Sequence, residues 1–246
     1  MPQDLPGLAA RIAAVRSRID DAAAAAGRDP REVRLLLATK TQDAATVLEA
    51  VAAAASASGV PVLVGENRVQ ELVAKAPALA DAVADGRVAI HMIGHLQRNK
   101  VNQVLATAAC VQSVDSLELA QALATRSERA GRVLDVLVQV NVSGEKSKSG
   151  VAPGDAALAT AVATLPGLRL TGFMTIGARS PDPAVVAAGF ARLRQVRDDV
   201  VASGAPGTEH ARDLSMGMTG DLDLAVHEGA TIVRVGTGVF GARPQA

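Results

Sequence analysis

Apolar and polar positions follow two spacings along this chain. Residues Leu8 to Ala26 place apolar side chains at helical spacing and stop at Gly27, a residue suited to ending a helix. Beyond it, short apolar runs alternate with longer amphipathic stretches as far as the C-terminus. The runs are VRLLLATK (33–40), VPVLVGEN (60–67), AIHMIGH (89–95), CVQSVD (110–115), LDVLVQVNV (134–142), LRLTGFMTI (168–176), ARDLSMG (211–217) and TIVRVGT (231–237). They are continuous rather than alternating, as parallel strands covered on both faces are. The stretches between them, such as 43–55, 67–76, 116–130 and 183–202, have the helical period, with Asp43 and Ser116 placed to cap. Eight strands each trailed by a helix predict a (β/α)8 TIM barrel with an extra N-terminal helix. A doubly wound open sheet is the rival, but LLLATKTQD, after its first strand, contains no glycine fingerprint. No repeat, linker or boundary interrupts the pattern, so residues 1–246 are expected to form a single domain.

Composition narrows the function. Of 246 residues, 49% are hydrophobic, ample for a buried core, and 25 basic residues balance 25 acidic ones. A net charge of zero, without a basic stripe or acidic tail, argues against nucleic acid and against a membrane surface and points to a small partner. The single cysteine, Cys110, rules out an internal disulfide and suits a reducing compartment. MPQDLPGLAA at the start carries an acid, two prolines and no basic region, unlike a signal peptide. The apolar runs are broken well short of the ~20 residues a membrane helix needs. A cytoplasmic monomer is the expectation. Tyrosine and tryptophan are absent, and only five residues are lysines: Lys40, Lys75, Lys100, Lys146 and Lys148.

Barrel chemistry gathers at the C-terminal ends of the strands. The first strand ends in Thr39-Lys40, and period-two alternation puts Lys40 on one face with Leu36 and Ala38. If that face points inward, the amine reaches the barrel mouth, where desolvation makes it a better nucleophile for a carbonyl. The structural alternative is a lysine that snorkels out of a strand end. The last strand is apolar except for Arg234, whose guanidinium cannot discharge. It serves either as half of an ion pair across the barrel floor or as a donor to a ligand ring. Two glycine-rich turns, 215–220 (SMGMTG) and 236–238 (GTG), close strands seven and eight, where barrels commonly seat a phosphate. Together with Lys40 on the neighbouring first strand they suit a phosphorylated aldehyde. Asn67 ends strand two and is either a helix cap or a partner for a ring hydroxyl. His91 and His95, four apart on one strand, invite a metal reading, but without a third ligand at metal spacing no metal site is expected. No Ser-His-Asp order or paired-carboxylate pattern is present.

Eight segments in order, LLLATKTQ, GENRVQEL, HMIGHLQRNK, VQSVDS, VQVNVSGEKSKSGV, LTGFMTIGA, DLSMGMTGDLDLAV and VRVGTGVFGAR, resemble the signature blocks of the pyridoxal phosphate homeostasis proteins. These are single barrels similar to the N-terminal domain of alanine racemase, and the likeness runs from about residue 8 to residue 243. It implies pyridoxal 5′-phosphate as cofactor, held as a Schiff base on Lys40, with Arg234 facing the pyridine nitrogen and Asn67 on the cofactor side. It also implies a phosphate cradle of Ser215, Met216, Gly236 and Thr237, with Thr219 nearby. Thr219 stands where serine is common and Arg68 where an aromatic residue is common.

A guanidinium at the ring nitrogen only donates, which blunts the ring as an electron sink and leaves proton transfer next to an imine as the plausible chemistry. Two-face racemisation needs a second proton carrier; the related racemases use a tyrosine from a second domain. This chain has no tyrosine and ends nine residues after Thr237. The expectation is therefore a carrier that buffers pyridoxal phosphate or hands it to dependent apoenzymes, with no catalytic residues of its own. A weak amino-acid racemase and a lysine-dependent aldolase are the alternatives. The loop Ser143 to Gly150 reads as a solvated loop or a second anion or partner contact, with Lys148 outside the cofactor site.

Overall fold

A computed structural model describes residues 7–55, 60–145 and 148–241. Lys146 and Ser147 of the fifth loop, Met1 to Pro6, and Ala242 and Arg243 of the last signature block lie outside the described residues. Helix α1 (Leu8–Ala25) leads into β1 (Arg34–Ala38), α2 (Ala44–Ala54), β2 (Val62–Glu66), α3 (Val69–Ala84) and β3 (Val88–Met92). There follow α4 (Val101–Leu105), β4 (Cys110–Val114), α5 (Leu117–Arg129), β5 (Leu134–Gln139), α6 (Ala157–Ala163) and β6 (Leu168–Met174). The chain continues through α7 (Pro183–Ala202), β7 (Asp213–Ser215), α8 (Leu222–His227), β8 (Ile232–Val235) and α9 (Thr237–Phe240). All eight strands are parallel, each pairs with the next, and β8 pairs with β1 to close the barrel. This is a TIM-barrel architecture with an added leading helix.

The alternation inferred for β1 holds for Leu36 and Ala38, whereas the strand stops at Ala38 and leaves Lys40 beyond it in a turn. Leu36, Leu63, Ile93 and Ile232, with Ala38 and Ala89 against them, form one small apolar cluster, and Cys110, Leu137 and Met174 form another. These fill the barrel interior. The neighbouring positions Leu37, Val64, Val111, Val136, Phe173 and Val233 belong to the large cluster between strands and helices. Burial on both faces explains why the runs look continuous in the sequence. Asp43 and Ser116 cap α2 and α5, accepting from Thr46 N–H at 2.7 Å and Leu119 N–H at 3.4 Å.

Two sequence expectations need correction. Helix α3 does not end near residue 76 but passes through Pro77, because Leu79 and Ala82 continue its buried stripe against the barrel. Strand β3 ends at Met92, so His91 and His95 do not share a strand face. His91 is buried inside the barrel, whereas His95 is exposed in the following loop, 3.5 Å from Asp115. Among the described residues no group of three or more acids, histidines or cysteines could hold a metal ion, and no helix is long and apolar enough to cross a membrane.

Candidate functional site

Lys40 lies two residues past the end of β1, half-buried, in a tight turn. Thr39 C=O accepts from Gln42 N–H at 3.1 Å, and Thr41, between them, has φ of +67°, the only positive φ outside glycine among the described residues. Lys40 and Thr41 are thus the central pair of a β-turn whose third position calls for glycine. A β-branched residue held there costs of order 1–3 kcal/mol and persists only where its surroundings enforce it. The enforcement comes from β2 and α3. Lys75 Nζ donates to Thr39 C=O at 2.7 Å and to Glu66 Oε1 at 2.8 Å. Thr39 Oγ1 donates to the same Glu66 oxygen at 2.5 Å, and Thr41 N–H donates to Glu71 Oε2 at 3.0 Å. Glu66 and Lys75 are 1% and 6% exposed. Burial raises the Glu66 pKa against the opposing pull of Lys75 and Thr39.

Arg234 points into the barrel above Ile232, on the strand next to β1 and in register with Leu36. Its Nη1 donates to Ser215 C=O at 2.7 Å and Ser215 Oγ at 2.8 Å, and its Nη2 to Thr175 C=O at 2.7 Å. No carboxylate pairs with it among the described residues, so the ion pair considered from the sequence does not form. Burial lowers its pKa to about 10, with Asp221 opposing the shift, and the group remains a cation at neutral pH.

A hydrogen-bonded row crosses the interior from this guanidinium. Ser215 Oγ lies 2.6 Å from Gln112 Oε1, and Gln112 Nε2 lies 2.7 Å from His91 Nδ1. The directions follow from the first member. Arginine only donates, so Ser215 accepts from it and gives its own proton to Gln112. Gln112 then donates to His91, whose Nδ1 must be bare. His91 is accordingly neutral and protonated on Nε2. Burial, reinforced by the charge of Arg34, takes its pKa down to about 3.

The two glycine turns meet beside Arg234. Thr237 Oγ1 lies 3.1 Å from Thr219 Oγ1, which also accepts from Gly238 N–H at 3.1 Å. Gly217 has φ of +87°, and a Cβ there would lie 2.4 Å from Ala225 Cβ, so only glycine fits. Helix α1 braces these turns from outside. Arg18 donates to Thr219 C=O at 2.6 Å and grips Asp223 of α8, and Arg11 donates to Val239 C=O in α9. Ser215 and Met216 are fully buried, the serine in the interior row and the methionine side chain in the outer core, while Gly236 is half-buried and Thr237 exposed.

Asn67 is half-buried at the end of β2, and the N-cap position of α3 belongs to Arg68, so the capping alternative for Asn67 does not hold. A Cβ on Gly94 would come within 2.1 Å of Asn67 C=O, which is how the loop after β3 lies against it. Lys148 donates to Gly177 C=O at 3.0 Å and pairs with Glu145, folding the fifth loop back over the end of β6.

The model of the alanine racemase N-terminal domain matches residues 11–244. A pyridoxal phosphate homeostasis protein of Pseudomonas aeruginosa is 45% identical over 237 residues, 96% of each chain. A crystal structure of an unknown protein from Bifidobacterium adolescentis superposes with a TM-score of 0.88 at 43% identity, covering 95% of this chain and 94% of that one. PipY of Synechococcus elongatus PCC7942, solved with PLP bound, gives 0.77 at 31% identity, covering 96% and 100%. The chain belongs to the pyridoxal phosphate homeostasis protein family. In this family member, sequence reasoning singled out the strand-end residues but gave no role to Glu66, Lys75, Gln112 and Thr175. Lys75 carried a signal: it falls in the apolar stripe of α3 between Leu72 and Leu79, where a lysine must find a buried acid. Gln112 and Thr175 carried none.

Proposed function

We propose that this chain binds pyridoxal 5′-phosphate covalently on Lys40 and serves its homeostasis in the cytoplasm, buffering the cofactor or delivering it to dependent apoenzymes. Residues 1–246 act as one binding unit and as a monomer. The observation that carries this reading is Arg234: a buried cation held, among the described residues, only by neutral oxygens, on the strand beside Lys40, has donor capacity that their acids leave without a hydrogen bond. The family assignment and the bound relative support the same cofactor.

The residues present fit the group. Arg234 would face the ring nitrogen and Asn67 the ring hydroxyl side. The paired turns, with Thr219, Gly236 and Thr237, would cradle the phosphate through hydroxyls and backbone N–H groups that glycine leaves accessible. Ser215 contributes by fixing Arg234, and Met216 by its main chain. When bound, the cofactor supplies an aldehyde carbon to the lysine amine and an electron-withdrawing ring. Arg234 would donate toward that ring and give it no proton to share, which favours carriage over turnover.

Incubation with pyridoxal 5′-phosphate, borohydride reduction and peptide mapping should place one adduct on Lys40, and Lys40→Ala should abolish both the adduct and the visible absorbance. Labelling on another lysine, or none, would refute the assignment. Sustained α-proton exchange of an amino acid in heavy water would replace the carrier with a racemase, and a colourless protein that forms adducts with phosphosugars would replace it with an aldolase.

A further inference from the structure

We propose that Glu66, Glu71 and Lys75 are positioning residues for Lys40, clamping the main chain on both sides of it so that its side chain leaves the barrel rim from a single strained turn. This rests on the reading of Lys40 as the covalent anchor. Three observations converge on it. The residue before Lys40 is held three times, through its carbonyl by Lys75, its hydroxyl by Glu66 and its N–H by Gly65 C=O at 3.0 Å. The residue after it is held through its N–H by Glu71. Between these anchors Thr41 keeps a left-handed backbone that threonine avoids.

Stability does not account for the arrangement. An ion pair at this depth gains little over two well-packed apolar side chains, since both charges lose their water. Glu66 Oε2, moreover, is buried without a hydrogen-bond partner among the described residues. A site that retains an under-satisfied carboxylate and a strained threonine next to its one functional amine uses them for placement. A lysine on an unclamped turn would sample several directions, and its attack on an aldehyde would slow by the fraction of time spent misdirected.

The test uses the full chain and pyridoxal 5′-phosphate as probe. Glu66→Met/Lys75→Met replaces the pair by apolar side chains of similar size, which keeps the fold, and circular dichroism with a cooperative melt verifies this. The double variant is expected to be labelled on Lys40 still, at least tenfold more slowly than the native protein, with a displaced pH midpoint for its visible band. Adding Thr41→Gly, which makes the turn intrinsically comfortable, is expected to recover at least half of the lost rate. A folded double variant with the native rate and pH midpoint overturns the proposal, as does a slowed one that Thr41→Gly fails to rescue. Native protein that leaves Lys40 unlabelled overturns the proposal together with the reading beneath it, and so separates the two failures.

Discussion

Arginines at the two ends of the barrel are compensated in different ways. At the N-terminal floor, Arg34 meets Asp213 at 2.8 Å and Arg169 meets Asp135 at 2.6 Å, so each cation has its acid. At the C-terminal mouth, Arg234 is more deeply buried than either and, among the described residues, has only two carbonyls and a hydroxyl as partners. The floor is closed by internally balanced pairs around a cavity of about 160 Å³. The mouth holds a cation in reserve. A protein whose only need were a stable barrel would finish both ends like the floor.

Substitutions at the two ends should therefore separate binding from stability. Arg234→Met is expected to weaken retention of pyridoxal 5′-phosphate about 100-fold, or ~2.7 kcal/mol, in an absorbance titration, while apo stability changes by less than about 2 kcal/mol. Asp213→Leu, which leaves Arg34 without its acid, should show the converse: about 1–2 kcal/mol lost in urea unfolding and retention within about twofold of native. Equal responses from both would erase the distinction. Between the ends lies His91, whose folded pKa of about 3 is below the unfolded value of about 6.5. The unfolded chain binds the proton first, so its stabilisation is complete above pH 6.5 and is lost as the pH falls toward 3, by up to about 1.4 kcal/mol per unit. His91→Leu should flatten the stability profile between pH 6.5 and 4; an unchanged slope would contradict a buried, neutral His91. Arg18→Ala, which frees the turn at Thr219 from α1, is expected to cost about 1 kcal/mol and a few-fold in retention. Lys148→Ala should leave labelling of Lys40 intact, and loss of the adduct would bring the fifth loop into the site.

The strands were legible because each is buried on two faces, so runs such as VRLLLATK and LDVLVQVNV stood out without any partner being known. Lys40, Arg234 and the two glycine turns were legible for a related reason: each interrupts an apolar run at a place the barrel reserves for chemistry. The clamp on Lys40 and the row from Arg234 to His91 were not. Ser215 and Gln112 are 103 positions apart, and nothing local to either marks the other as its partner. The length of α3 was hidden by Pro77, whose missing N–H reads as a stop, although packing of Leu79 and Ala82 on the barrel carries the helix past it.

The sequence by itself determined the periodicity, the eight-fold count and the family, and singled out the proposed amine, because these depend on residue type and short-range spacing. Only the tertiary structure decided which charges are compensated, which histidine nitrogen bears the proton and which residues grip the turn around Lys40. Those outcomes depend on closing β8 onto β1 and laying α3 over β2, which bring together polar groups that are remote along the chain and remove the water that would otherwise satisfy them.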